Sequence, residues 1–158
     1  MKGLTIVYKK GDYVICVRGG IWHVTDIGGD KIHLSAQESG EEIVLPVRNT
    51  EIVRKIVSKQ EILDVIDRVA YIRTIQAPNE KFRRELYEDA MAKYDELEWI
   101  KVIKSVYLRK QDGRLIPGEL EYSHKAKNYL HGEISVLLGI PMDEVEKHIA
   151  SAVSDDSW

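Results

Sequence analysis

The pattern of apolar and polar residues changes its period once along the chain. Between Gly11 and Lys55, apolar residues alternate with polar ones in short runs, as in Ile32, Leu34 and Ala36. This alternation is the period of a β-strand with one buried face. Residues that favour turns separate the runs. The pattern predicts five strands, over residues 13–17, 20–27, 31–36, 42–46 and 52–55.

From Ser58 onward the apolar period is that of an α-helix. Ser58 and Glu61 have the spacing of a capping box, which predicts a first helix. Four more helices are predicted: one after Asn79, one near Asp95 with Glu98 completing a second capping pattern, one over residues 118–138, and one from Pro141 to about Val153. The expected core stripes are Phe82, Leu86, Ala90 and Met91, then Trp99, Val102, Ile103, Val106 and Tyr107, then Tyr122, Ala126, Tyr129, Leu130 and Leu137.

Strands followed by helices predict an α+β chain of two domains. Residues 1–57 are expected to form a small bent sheet or barrel of the SH3/Tudor-like kind, and residues 58–158 an all-α bundle of about five helices. The length of 158 residues, 44% of them hydrophobic, suffices for two modest cores. The single cysteine, Cys16, lies inside a predicted strand, so a buried structural role is expected for it.

The composition argues against several classes of protein. No apolar run approaches the roughly 20 residues that span a bilayer, and the first residues lack the apolar core of a signal peptide. A cytoplasmic protein without a membrane association is therefore expected. Phosphate-binding loops, nucleophile elbows and paired-histidine zinc motifs do not occur, so neither an enzyme nor a cofactor is predicted. His124 and His131 would lie about 10.5 Å apart along a helix, too far to share a metal ion.

Charge is distributed unevenly, although the net charge is only -3. Residues 99–131 hold seven basic and three acidic residues, whereas residues 133–158 hold six acidic residues and one basic residue. A basic segment beside an acidic one is typical of a surface that meets a charged partner. A solvated helix pair with uneven charge explains the pattern equally well.

The basic segment also places an aromatic residue beside cations. Tyr107 lies at the edge of its helical stripe and precedes Arg109 and Lys110. On the next helix a polar and basic face is predicted. Cations along two helices can neutralise phosphates, and an aromatic ring can wedge into a base step. A core position for Tyr107 and a solubilising surface of lysines remain the alternatives. The residues of the predicted polar face are His124, Lys125, Lys127, Asn128 and His131.

In the order and spacing of several short pieces, the chain resembles the CarD/CdnL family of transcription regulators. The N-terminal module of that family is shared with the RNA-polymerase-binding domain of the transcription-repair coupling factor. The resemblance covers nearly the whole chain. Its pieces are residues 10–15 (KGDYVI), Gly20, Val24, Ile27, 44–47 (VLPV), Asn49, 102–104 (VIK), 107–109 (YLR), Gly118-Glu119, 125–127 (KAK), 132–134 (GEI) and 137–140 (LLGI).

The resemblance implies that the β-domain docks on the β subunit of RNA polymerase. It also implies that the helical domain contacts promoter DNA, without sequence specificity, near the upstream edge of the transcription bubble. Such a protein would modulate the stability of the open promoter complex. By position, the minor-groove tryptophan of the family falls on Tyr107, and the basic DNA-contacting residues fall on Arg109, Lys110, Lys125 and Lys127.

The polymerase contact is implied for the strand that contains Glu42, Val44 and Val47, through backbone pairing at a sheet edge. Asp30 and Val44 stand where some relatives have basic residues that grip polymerase. A rival interpretation is an SH3-like adaptor without DNA contact, in which Trp22 binds peptides; a buried Trp22 is the alternative. A small hydrolase or transferase is a third hypothesis, which no motif supports.

Overall fold

The structure is a computed structural model that describes residues 8–48 and 51–153. It contains a five-stranded antiparallel sheet followed by five α-helices, so the predicted α+β class is confirmed. The chain divides into two compact units between Ile56 and Val57. Asn49, quoted for the family resemblance, lies outside the described residues.

The sheet follows the predicted strands to within one residue at each end. The strands are β1 (Tyr13–Cys16), β2 (Ile21–Gly28), β3 (Lys31–Ala36), β4 (Glu42–Pro46) and β5 (Ile52–Lys55). Their order is β4-β3-β2-β1-β5, and all neighbours are antiparallel. The register shifts between Ile15 and Cys16 and again between Val24 and Asp26. Such irregularities bend strands and increase their twist, as the prediction of a bent sheet requires.

One face of the sheet carries the core of the β unit. Val24, Ile32 and Leu34 are buried there, as the alternation predicts. Cys16 belongs to the same cluster, and burial raises the pKa of its thiol to about 12. Trp22 is only 4% exposed, and its indole Nε1 donates to the Gly19 carbonyl at 2.9 Å. The buried position of Trp22 therefore overturns its use as a peptide-binding aromatic.

The helices are α1 (Lys59–Arg68), α2 (Glu80–Met91), α3 (Glu96–Gln111), α4 (Glu119–Leu138) and α5 (Val145–Val153). The Ser58–Glu61 capping box forms in both directions, as predicted. Asp95 precedes α3 but makes no side-chain capping bond, so the second capping box is wrong. Glu98 instead accepts from Lys101 at 3.3 Å. The fifth helix also begins later than predicted, after a 3₁₀ turn at Met142–Glu144.

The predicted core stripe of α2 is right at Ala90 and wrong at Phe82, while Leu86 and Met91 are half-buried. The buried residues are Arg83, Tyr87 and Ala90, whereas Phe82 is 47% exposed. The Tyr87 hydroxyl bonds to the buried carboxylate of Glu119. A prediction that uses apolar residues alone misses a buried stripe in which polar side chains form hydrogen bonds inside the protein.

The longest two helices pack against each other and carry the centre of the helical core. Trp99 of α3 stacks on Tyr129 of α4 with ring centroids 5.1 Å apart. Trp99, Val102, Ile103 and Val106 are buried as predicted, and so are Ala126, Tyr129 and Leu130. Tyr122 and Leu137 are only half-buried, and Ser123 and Ile134 complete the buried side of α4.

Glycine determines both ends of α4. Gly118 precedes the helix at φ 83° and Gly139 follows it at φ 68°. This left-handed backbone costs little only for a residue without Cβ. The first of these glycines lies in the turn between α3 and α4, and the two helices pack against each other.

Candidate nucleic-acid interface

A shallow cavity lies between α3 and α4 on the basic side of the helical unit. Its volume is about 110 Å³. Tyr107 and Lys110 line it from α3, and His124 and Lys127 line it from α4. The structure therefore brings together an aromatic ring and two of the four cations named from the sequence.

Tyr107 is half-buried, at the border between core and solvent. Ile103, one turn earlier on α3, and Val106, the residue before Tyr107, line the same cavity. The ring thus has an apolar floor and an accessible edge. Its position at the margin of the stripe agrees with the sequence pattern, and its role toward DNA stays a prediction.

Arg109 is held inside the protein. Its Nε donates to Oε2 of Glu119 at 2.7 Å, and its Nη2 donates to the carbonyl of Arg114 at 2.6 Å. The side chain is only 14% exposed. A guanidinium engaged in this way joins the end of α3 to the start of α4, and its charge is compensated by a carboxylate.

Glu119 is the centre of this arrangement; in the sequence it belongs to the family resemblance but is not among the predicted site residues. Its Oε1 accepts from the backbone N–H of Ile116 at 2.9 Å, while its Oε2 accepts from Tyr87 and Arg109. Burial by itself raises the pKa of Glu119, but the bonds from Tyr87, Ile116 and Arg109 outweigh burial and lower it. The carboxylate is therefore ionised at neutral pH. The sequence signal was a glutamate in a first helical turn after glycine, which also fits an exposed residue.

The three lysines predicted to contact DNA differ in their surroundings. Lys110 and Lys125 are exposed, and within residues 8–48 and 51–153 neither has a carboxylate at ion-pairing distance. Lys127 donates to Glu146 at 2.7 Å. That bond is the largest cause of the lowered pKa of Glu146. Two cations are thus available to an external phosphate, and a third is shared with α5.

His131 does not belong to the polar face. The predicted position was on the solvent side of α4, but the side chain is buried. Burial lowers the pKa of its imidazole to about 4, so the ring is neutral at physiological pH. The face that remains consists of His124, Lys125, Lys127 and Asn128, with Lys127 half-buried.

Phe82 is a second aromatic side chain accessible from solvent. It lies in the first turn of α2, next to the exposed Lys81. Asn79 caps this turn by accepting from the Phe82 backbone N–H at 2.8 Å. The apolar stripe that begins with Phe82 predicts a core position for this ring. Phe82 is instead an exposed aromatic residue of the helical unit.

In the β unit, the residues implied in polymerase contact lie on or just after β4. Val44 is 50% exposed, and Glu42 and Val47 are also exposed. In the described part of the sheet, β4 pairs only with β3. The outer edge of β4 is a place where another strand can add.

Among residues 8–48 and 51–153, no helix is long and apolar enough to cross a membrane. The same residues contain no group of three or more His, Cys, Asp or Glu side chains placed to hold a metal ion.

The family model described as "CarD, C-terminal domain" matches residues 64–150. A comparison with curated proteins finds no match. The matched segment includes α2, α3, α4, half of α1 and most of α5. It therefore contains the half-buried tyrosine and every cation described above. Because the match extends over more than half of the 158 residues, the chain belongs to the CarD family of transcription-related proteins.

Proposed function

We propose that the chain is a bacterial transcription regulator that docks on the β subunit of RNA polymerase and contacts promoter DNA to modulate open-complex stability. The proposal rests mainly on one observation. Tyr107 lines a shallow cavity together with the exposed Lys110 of α3 and the half-buried Lys127 of α4. A backbone phosphate is a suitable ligand for such lysines, and contacts of this kind carry no sequence preference.

The four cations are expected to contribute unequally to phosphate binding, because their surroundings differ. Lys110 and Lys125 bind phosphate without losing an internal partner. Lys127 must first break its ion pair with Glu146, and Arg109 is already paired with Glu119. Two phosphate contacts give a log-log salt slope of about -1.8, at roughly -0.9 per contact. All four cations together would give about -3.6.

The test measures open-complex lifetime with polymerase present across a salt series. We compare the wild type with Lys110→Ala/Lys125→Ala and with the control Lys59→Ala/Lys147→Ala, which removes two exposed lysines elsewhere. The first variant should shorten the lifetime and flatten its salt dependence by about two units. The control should behave as the wild type. Equal lifetimes for all three proteins, with polymerase docking intact, would favour an adaptor without DNA contact.

The aromatic contact is tested by Tyr107→Ala and Phe82→Ala side by side. A ring that wedges at the edge of the bubble stabilises the open complex, and its removal shortens the lifetime. Both variants should stay folded at the assay temperature, because neither ring is fully buried. If only Phe82→Ala shortens the lifetime, the wedge belongs to α2 and the placement on Tyr107 is wrong.

Docking on polymerase is assigned to residues 1–57, and in particular to the edge of β4. Retention of the full chain on the polymerase β lobe should fall with Val44→Asp, since a charge at an exposed edge position opposes strand addition. Val17→Asp, which places the same charge at another exposed valine of this unit, is the control. The fragment 1–57 should be retained and the fragment 58–158 should not. Retention of only the helical fragment would overturn this assignment.

A further inference from the structure

A second cavity of the helical unit is lined by three arginines. Its volume is about 180 Å³. Arg83 lines it from α2, Arg109 from α3, and Arg114 from the turn after α3. The one carboxylate in the lining is Asp112. None of the residues proposed to contact DNA except Arg109 belongs to this lining.

Two of the three arginines have an acidic partner. Arg109 is paired with Glu119 at 2.7 Å, and Arg114 lies 4.0 Å from Asp112. Arg83 differs from both. Within the described part of the chain, no carboxylate lies at ion-pairing distance from its guanidinium.

Arg83 is also the most deeply buried of the three, with 7% of its surface exposed. Its Nη1 donates to the Ile75 carbonyl at 3.3 Å, and its guanidinium reaches the Tyr87 hydroxyl. These neutral acceptors leave several of its five N–H donors for another ligand. A guanidinium does not lose its proton in a protein, so the buried charge persists. The Glu119 carboxylate reaches this guanidinium only through the Tyr87 hydroxyl, so an anion bound directly to Arg83 would stabilise the buried charge further.

The rest of the lining suits an oxyanion. The Thr74 hydroxyl accepts from the Gln76 side chain at 3.1 Å, which leaves its hydrogen for donation into the cavity. The planar fork of a guanidinium matches two oxygens of a phosphate group. The volume is below the roughly 300 Å³ at which pockets for drug-sized molecules begin, so the cavity takes one group rather than a whole nucleotide.

We infer that this cavity, between the segment 74–76, α2 and the α3–α4 turn, is a binding site for a single phosphate-class oxyanion held by Arg83. The inference goes beyond the proposed contact with DNA, because Lys110 and Lys125 do not line the site. Free phosphate and a backbone phosphate of DNA offer the same chemistry. The bound anion ties α2 to the turn after α3, since Arg83 and Arg114 lie on these two segments.

The experiment uses the full chain without polymerase and titrates inorganic phosphate at constant ionic strength, with chloride as the replaced anion. Nuclear magnetic resonance follows the Arg83 Nε–H together with the Thr74 and Arg114 backbone amides. We expect saturable shifts at these groups with phosphate and none with chloride. Absence of saturable shifts with phosphate would overturn the site.

Variants test the role of Arg83. Arg83→Met should weaken phosphate binding about tenfold or more, because it removes the charge and the fork. Arg83→Lys should bind with intermediate affinity. Arg73→Met is the control, since Arg73 is exposed and lines a neighbouring cavity but not this one. Equal affinity for Arg83→Met and the wild type would refute the inference. If Arg83→Met does not fold, Arg114→Ala, at an exposed position, should still lower the affinity.

A second titration with short duplex DNA distinguishes the two sources of phosphate. Displacement of bound phosphate by DNA, with shifts at Arg83, identifies a backbone phosphate as the ligand. Persistence of the phosphate-induced shifts in excess DNA identifies a small free anion. The lysine variants of the DNA assay leave the oxyanion site intact. A wrong oxyanion site would therefore show in the phosphate titration, whereas a wrong DNA contact would show in the open-complex lifetimes of the lysine variants.

Discussion

The two units of the chain bury different kinds of side chain. The described core of the β unit is apolar and is built around Trp22, Val24 and Leu34. Every buried polar or charged residue of the described chain lies in the helical unit. These nine residues are Arg83, Glu96, Lys104, Ser105, Glu119, Ser123, His131, Glu133 and Ser135.

The buried polar groups of the helical unit hold non-helical segments against helices. Lys104 Nζ donates to the carbonyls of Val69 and Ile72 at 2.8 and 2.9 Å. Ser105 accepts from the Ile75 backbone N–H at 2.7 Å. Glu133 accepts from the Val57 backbone N–H at 2.9 Å. A sheet pairs its own backbone along the strands, whereas loops that cross helices need side chains as partners.

Glu119 should be the most sensitive position in this comparison. Glu119→Ala removes the carboxylate from Tyr87, Arg109 and the Ile116 N–H, so it leaves a mostly buried cation without its partner. The free energy of unfolding should fall by about 3–5 kcal/mol. Urea denaturation followed by far-UV circular dichroism measures it. The exposed Glu121→Ala should change it by less than about 0.5 kcal/mol. Similar values for both variants would mean that the network contributes little.

Truncation of a buried apolar side chain in the β unit should lower stability only through the cavity that it leaves. Leu34 is fully buried in the sheet core, so Leu34→Ala should lower the free energy of unfolding by about 3 kcal/mol. Hydrogen exchange of the β2 and β3 amides detects the change. His33→Ala, one residue away on the opposite face, serves as the control and should have a small effect. A large loss with His33→Ala would show that both faces of β3 are packed.

Acidification should affect the helical unit through His131. The imidazole has a pKa of about 4 when folded and an ordinary value of 6.5 when unfolded, because burial disfavours its charged form. The unfolded chain therefore binds more protons between these values, and stability falls as the pH drops through this window. The loss between pH 7 and pH 5 should be about 2 kcal/mol.

Urea denaturation at both pH values checks this expectation, with His131→Gln as the comparison. The variant lacks the titrating ring, so its free energy of unfolding should change much less over the same interval. The comparison is limited to pH 5 because carboxylates begin to titrate below it. An equal pH dependence in the two proteins would contradict a role for His131.

The smallest expected effect concerns the start of α1. Ser58→Ala removes the acceptor for the Glu61 backbone N–H and should cost about 1 kcal/mol. Thermal unfolding measures the loss. Asp95→Ala is the matched variant, because Asp95 precedes α3 without a side-chain capping bond. It should cost less than Ser58→Ala, and the reverse order would indicate that Asp95 caps α3 in solution.

The sequence predicted the β unit almost completely because strand alternation reports directly which face is buried. It also predicted the helices and most of the stripe of α3, since the buried residues of that helix are mainly apolar. On α4, where half of the buried residues are polar or charged, it predicted Ala126, Tyr129 and Leu130 correctly. It was wrong where burial is polar. Phe82 was assigned to the core and His131 to the surface, yet the structure places each on the other side. The capping bond expected from Asp95 failed because spacing alone does not make a side chain turn back to the backbone.

Amino-acid order by itself thus determined the α+β class, the bounds of the strands, the resemblance to a family and the basic segment after Trp99. Tertiary structure decided which of those cations is available. In the sequence, nothing distinguishes Arg109 and Lys127 from Lys110 and Lys125. Only the fold brings Glu119 to Arg109 and Glu146 to Lys127. It likewise gives Arg83 neutral acceptors and, within residues 8–48 and 51–153, no carboxylate at ion-pairing distance. The physical reason is that the energy of a charge depends on its neighbours in space, which hydrophobic periodicity does not specify.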